Sequence, residues 1–253
     1  MIGATARCVV LSGVAALGLA AYLDIRPAQP WLLWLTTGLI ALAVDGLVRG
    51  SPRWHGDGAF SSAVFLFLPA LAVLGGGLFI NDAVDGYART VSAVAAGVAA
   101  GVIAYGEYQT VDFGSRLYGP MRLALAVATY LAAFALYTVV FNSELSLPMG
   151  ALCVGVASMA LSMELLRESR LLGPSSLLVG LAIGVSMAEL RLGLYYFPLD
   201  SLLAGALLII GFYLATGLVH HLLDRDLEWA TTAEYLIVAA VGTAAVVVTR
   251  VFV

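Results

Sequence analysis

The sequence predicts an all-α polytopic membrane protein of nine transmembrane helices, a first span followed by four parallel helical-hairpin repeats, and three observations predict it. The first is composition: of 253 residues 62% are hydrophobic and 11% charged, and the mean hydropathy is +1.00. A soluble domain needs far more polar surface than this to enclose itself. The second is spacing. Apolar runs of roughly 17 to 25 residues, each enough to cross a hydrocarbon core of about 30 Å as a helix, follow one another with short polar breaks. No stretch is left over for a soluble domain, so residues 1–253 read as a single transmembrane domain. The third is an internal repeat. The stretch EYQTVDFGSRLYGP from Glu107 to Pro120 returns, shortened, as ELLRESRLLGP from Glu164 to Pro174. Ser115, Arg116, Leu117, Gly119 and Pro120 reappear 54 positions on as Ser169, Arg170, Leu171, Gly173 and Pro174. Arginine and proline number only 12 and 8 in the chain, so a register sharing both is not expected from composition. Downstream, Ser146-Leu147 and Gly150-Ala151-Leu152 are echoed at an offset of 55 by Ser201-Leu202 and Gly205-Ala206-Leu207. Such a period is two spans and their loops, which places hairpin units at about 31–80, 90–141, 148–197 and 201–252.

Taken in order, span 1 covers Met1 to Tyr22 and sets Arg7 before an apolar run, as a signal peptide does. No good A-x-A site precedes Asp24 and further spans follow at once, so it is kept as a span. Span 2 is about Trp31 to Val48 and span 3 about Ala59 to Ile80, joined by a loop with Arg49, Arg53, Trp54 and His55. Span 3 carries Pro69 and then Gly75, Gly76 and Gly77, which remove a backbone donor and loosen the chain in mid-membrane. A kinked helix packed closely on a neighbour is expected there, with a broken helix as the alternative. Span 4, about Thr90 to Glu107, contains Gly97-x-x-x-Gly101, and span 7, about Pro174 to Phe197, contains Gly180-x-x-x-Gly184. Such pairs let helix backbones approach for dispersion contacts that lipid cannot match, within the chain or with other membrane helices. Span 5 is about Met121 to Phe141, span 6 about Pro148 to Leu166, span 8 about Ser201 to Leu223 and span 9 about Trp229 to Phe252. Trp31, Trp34, Trp54 and Trp229 fall at span ends, where an amphipathic ring sits best between headgroup and hydrocarbon.

Every basic residue apart from histidine is arginine, and lysine is absent. A retinal Schiff base and a Walker A loop both need a lysine, so both are excluded. The net charge of −4 is scattered over short loops, which gives no reason to expect nucleic acid as a partner; the bilayer is the partner the sequence names. Arg7, Arg49, Arg53, Arg116, Arg122, Arg167, Arg170 and Arg225 fall on the face of the N-terminus, against Arg26, Arg89, Arg191 and Arg250 opposite. That bias predicts a cytoplasmic N-terminus and a C-terminus on the other face of a plasma or bacterial inner membrane. Cys8 and Cys153 lie in apolar helices without a CxxC and read as small core residues.

The most motif-like string is Asn81-Asp82-Ala83-Val84-Asp85-Gly86-Tyr87-Ala88-Arg89. It resembles the DxxDGxxAR motif of CDP-alcohol phosphotransferases, which implies carboxylates holding divalent metal against a diphosphate. Here one residue separates Gly86 from Ala88, and the next helix carries Gly97 and Gly101 where two further aspartates are expected. The string also resembles the NDxxDxxxD signature of the UbiA prenyltransferases, nine-helix enzymes that bind a prenyl diphosphate through magnesium. In this chain the third acid is Arg89. The facing acidic cluster that resemblance implies would be Glu164-x-x-x-Glu168 or Asp224-x-Asp226-x-Glu228, but these follow even-numbered spans and Asp82 an odd one. Asp82 and Asp85 are therefore the candidate metal residues, and without a metal the string is a solvated turn with an Asx cap before span 4. His220 and His221, with Asp224 and His55, share a predicted face. Adjacent helical positions point about 100° apart, so the pair reads as interfacial rather than ligating.

Glu107 and Glu164 end their spans, and Glu164 has Arg167 at i+3. A lock between these glutamates and Arg116 or Arg170 is expected, with an ion path as the other use. Glu189 lies nine residues before Pro198, about 13 Å along a helix, which puts it near the bilayer centre. A charge there costs about 2.5 to 3.5 kcal/mol, while each large apolar residue returns only about 0.3 to 0.6. Span 7 therefore needs partners, with Glu189 expected to find a donor inside the bundle and Arg191 to snorkel outward to Tyr195 and Tyr196. The candidate binding residues are Glu189, Arg191, Glu164, Glu107 and Gly76. They suggest a small secondary transporter or carrier whose site is lined by Glu189 and the broken part of span 3. The alternatives are a non-catalytic membrane subunit or scaffold binding other transmembrane helices, and a divergent magnesium-dependent prenyl or CDP-alcohol transferase. No complete catalytic motif is present and no cofactor is named by the sequence.

Overall fold

The computed structural model describes residues 3–25, 29–54, 62–168, 174–224 and 228–252. Among them are nine α-helices and no strand: α1 Ala4–Asp24, α2 Pro30–Arg49, α3 Val64–Ala83, α4 Tyr87–Gln109, α5 Tyr118–Asn142, α6 Leu147–Leu165, α7 Pro174–Leu194, α8 Ser201–Asp224 and α9 Trp229–Phe252. Each is long and apolar enough to cross a bilayer. The protein is an all-helical, multi-pass integral membrane protein. His55, Arg170, Arg225 and Asp226 lie outside the described residues, so the expected equivalence of Arg116 and Arg170 does too.

Local chemistry sets the boundaries. Proline stands in the first turn of α2 and of α6, where its missing N–H costs nothing. The Asp200 carboxylate accepts from the Leu203 N–H at 2.8 Å and caps α8. The broken-helix alternative for span 3 and the expected end of span 7 are corrected. Span 3 is neither broken nor interrupted: α3 runs through Pro69 and the three glycines as one helix. Gly77 is there for proximity, since a Cβ on it would sit 2.6 Å from Leu33 Cδ1 and 2.9 Å from Leu19 Cδ2. Span 7 stops at Leu194 instead of Phe197, and residues 195–197 turn ahead of Pro198, whose ring disfavours helix in the residue before it.

The backbone packs as two units, Met1–Ala132 and Ala133–Val253. In the first, α1 packs most extensively on α4 and also on α2, while α3 packs on α2 and α4. Its core includes Ala15, Leu19, Leu23, Ile40, Val44, Ala93 and Ala104, all almost fully buried. The α1–α4 seam depends on glycine. A Cβ on Gly97 would lie 2.5 Å from Ala16 N, and one on Gly101 would lie 1.7 Å from Ser12 Oγ and 3.0 Å from Cys8 O.

In the second unit α6 packs on α7, α7 on α8, and α8 on α9. The α6–α7 seam sets glycine on glycine: a Cβ on Gly184 would lie 2.6 Å from Gly155 O, and one on Gly155 would lie 3.0 Å from Gly184 O. Gly180 meets Met159 and Met163. Tyr137, Leu161, Met187, Leu208 and Phe212 fill the core. The Tyr137 hydroxyl shares a 2.7 Å hydrogen bond with Ser158 Oγ, so neither buried hydroxyl is left unsatisfied. Both small-residue motifs thus spend their faces on helices of their own unit. Cys8 is buried and Cys153 half-buried, as core residues should be.

Candidate functional site

The α3–α4 turn shows what the Asn81–Arg89 string does. Gly86 takes φ +63°, a left-handed conformation that glycine adopts without strain. The Arg89 side chain folds back over the end of α3, donating from Nε to Val84 O at 3.0 Å and from Nη2 to Asn81 O at 3.3 Å. Its Nη2 also meets Asp85 Oδ1 at 3.0 Å, although the Asp85 side chain is 99% exposed. The residue that departs from the prenyltransferase signature is therefore the one that organises the turn, by satisfying carbonyls the helix end leaves open. Asp82 is exposed. Among the described residues no three His, Cys, Asp or Glu side chains are grouped to hold a metal.

The other end of the first unit is tied by polar side chains. Ser62, at 0% exposure, donates from Oγ to Asp45 Oδ1 at 2.6 Å, and Arg49 Nε donates to the same carboxylate at 2.8 Å. This joins the end of α2 to the start of α3. Arg53 pairs with Asp112, which joins the α2–α3 connection to the α4–α5 connection. Beside that pair, Ser51, Pro52, Arg53, Tyr108, Gln109 and Asp112 line a pocket of about 290 Å³. Glu107 is wholly buried at the end of α4.

In the second unit Glu164 is likewise wholly buried, and its Oε2 accepts from Arg167 Nη1 at 3.0 Å. The i+3 pairing expected from sequence is present, whereas Arg116 is exposed on the first unit. Gly76 faces open space, with nothing within 4 Å of where its Cβ would be. His220 Nε2 lies 3.4 Å from Asp224 Oδ2, and the two histidine rings stand 5.9 Å apart near Tyr235.

Helix α7 reverses the expected orientations. Glu189 is exposed, while Arg191 is 4% exposed. The reason is helical register. The packed face of α7 runs Gly180, Gly184, Met187 and then Arg191, at spacings of four, three and four, and a residue two positions earlier points the other way. Extending the Gly180-x-x-x-Gly184 stripe along the sequence lands on Arg191, a signal that comparing the two charges by insertion cost does not use. The guanidinium carbon lies 4.2 Å from the Phe141 ring centroid and 5.9 Å from that of Tyr195, and Nε and Nη1 are buried without a hydrogen bond to any described residue. The early end of α7 also moves Glu189: it is five residues from Leu194, about 7.5 Å along the axis, and so nearer one boundary than the centre.

No curated protein matches this chain, and no solved structure matches it. One family model, described as a protein of unknown function, matches residues 10–249 and so takes in part or all of every helix. The chain belongs to the DUF5656 family.

Proposed function

We propose that the protein is a non-catalytic membrane subunit or scaffold whose α7 outer face holds another transmembrane helix. The observation that carries this reading is the exposure of Glu189 inside a membrane-spanning helix. A carboxylate facing lipid is costly even part-way to the boundary, and a donor on a neighbouring helix removes that cost. Ser186, exposed one turn earlier, adds a second polar group to the same face. The carrier reading draws less support, because α3 is continuous, Gly76 faces open space and Glu189 points out of its unit. The transferase reading loses Asp85 to the turn that Arg89 closes.

The same reading includes a cytoplasmic N-terminus, in a plasma or bacterial inner membrane, and a chain built from repeated hairpins. The Arg53–Asp112 pair supports the topology by putting two arginine-bearing connections at one end of the first unit. Cysteine labelling at Ser51, Ser115 and Ser169 from the cytoplasm, and at Asp82 and Asn142 from the other side, is the expected pattern in a background lacking Cys8 and Cys153.

Glu189→Gln and Glu189→Ala separate subunit from carrier. In a subunit both leave the stability of the purified chain within about 0.5 kcal/mol, the usual range for exposed sites, and both weaken retention of the partner in membranes. Coupled uptake in proteoliposomes that Glu189→Gln abolishes would restore the carrier.

A further inference from the structure

The face of α7 opposite Glu189 presents a separate problem, independent of the subunit reading. Arg191 is buried to 4% exposure, yet its Nε and Nη1 reach no acceptor among the described residues. Phe141 attracts the cation through its ring face at 4.2 Å, but a ring face leaves the in-plane N–H donors unsatisfied. A buried cationic donor without an acceptor is among the costliest groups a fold can carry. No described residue supplies the acceptor. At the end of α5, Ser143 takes the carbonyls, its N–H donating to Val139 O at 2.9 Å and its Oγ to Val140 O at 2.8 Å. Glu144 and Glu189 are exposed, and Asp200 is occupied in capping α8.

The guanidinium instead lies against the start of α6. A Cβ on Gly150 would be 3.6 Å from Arg191 Nη2 and 3.9 Å from Cζ. Gly150 belongs to the first turn of a 19-residue helix whose N-cap, Ser146, makes no side-chain cap. The Gly150 N–H already donates to Ser146 O at 2.9 Å and Pro148 has none, so the first-turn N–H groups without an intrahelical acceptor are those of Leu147 and Met149, at the positive end of the helix dipole. Two positive elements therefore meet, with no described carboxylate paired to Arg191, and the missing side chain at Gly150 leaves room for a methyl group at their junction. Depth adds the last constraint. Arg191 lies three residues before the end of α7, about 4.5 Å, and Tyr195, Tyr196 and Phe197 are exposed just beyond it, at the level of an aromatic belt.

We infer that Arg191 and the first turn of α6 form a binding site for a phosphate-type oxyanion at the membrane boundary. A tetrahedral oxyanion can accept from two edges of the guanidinium fork and from helix N–H groups at once. A phospholipid headgroup and free inorganic phosphate share this chemistry, and the test distinguishes them.

The full-length chain is purified as wild type, Arg191→Met, Arg191→Lys and Gly150→Leu. Native mass spectrometry from nanodiscs of mixed phosphatidylglycerol and phosphatidylcholine reads retained lipid, and thermal unfolding in lipid-free detergent reads the response to inorganic phosphate. A lipid source predicts preferential retention of phosphatidylglycerol that falls about tenfold or more in Arg191→Met, the scale of one charge-assisted hydrogen bond, and falls less in Arg191→Lys. Gly150→Leu, which keeps the arginine and fills the space, is expected to lose it as well. A free-ion source predicts no lipid preference but a melting shift with phosphate that needs Arg191. Should Arg191→Met fail to fold, the lysine and leucine variants carry the test. Lipid retention and phosphate response that are both unchanged across the folded variants overturn the site.

Discussion

The two glycine seams use the same small-xxx-small spacing to different ends. In the first unit Gly97 and Gly101 of α4 close on α1, a helix distant in sequence, and meet Ala16 and Ser12. In the second, Gly180 and Gly184 of α7 close on α6, the preceding helix, and the tightest approach is glycine carbonyl to glycine. The difference teaches that such a motif marks a face on its own helix and says nothing of which helix will cover it. It also separates two kinds of contact. A side chain such as Ser12 can rotate away from an added methyl group, but a backbone carbonyl cannot.

That distinction orders the expected effects of substitution. Leucine at Gly97 or Gly184 drives several atoms into backbone and is expected to cost at least about 3 kcal/mol, the upper range for overpacking, read as loss of folded protein in detergent. Gly184→Ala places a single methyl 2.6 Å from Gly155 O and is expected to cost about 1 to 3 kcal/mol by thermal or denaturant unfolding. Gly101→Ala is expected to cost about 1 kcal/mol, because Ser12 Oγ can swing aside at the expense of its 3.1 Å hydrogen bond to Cys8 O, and the Cys8 carbonyl, 3.0 Å from the added methyl, then has to give only slightly. If Gly101→Ala proves worse than Gly184→Ala, the contrast between side-chain and backbone contact is wrong. Gly76→Ala is the control: it adds a methyl to open space and gains helix propensity, so stability is expected to hold or rise by less than about 1 kcal/mol.

The helices were legible in the sequence because their signal is length and apolarity, which the bilayer reads in the same terms. The end of α7 was less so, since a preference of the residues ahead of Pro198 had to compete with an apolar run that continues to Phe197. The glycines of α3 left two readings open, a break or close packing on a neighbour. Gly77 signals freedom in isolation, but in the fold it accommodates Leu19 and Leu33, and packing on both holds the helix continuous. On α7 the sequence shows two charges whose insertion costs are similar, and only the glycine register tells which is buried. Arg89 was visible as the mismatch in an acidic motif, yet its role depended on carbonyls of α3 that no motif records.

The central claim is that the outer face of α7 holds a protein helix, and photo-crosslinking in native membranes tests it most directly. A photoreactive residue replacing Val185, exposed one turn before Glu189 on the same face of α7, is compared with one replacing Val98, which faces outward on α4 of the first unit. A discrete protein adduct from position 185 that mass spectrometry identifies as one transmembrane partner is expected, and lipid adducts alone from position 98. Lipid adducts alone from both positions would contradict it.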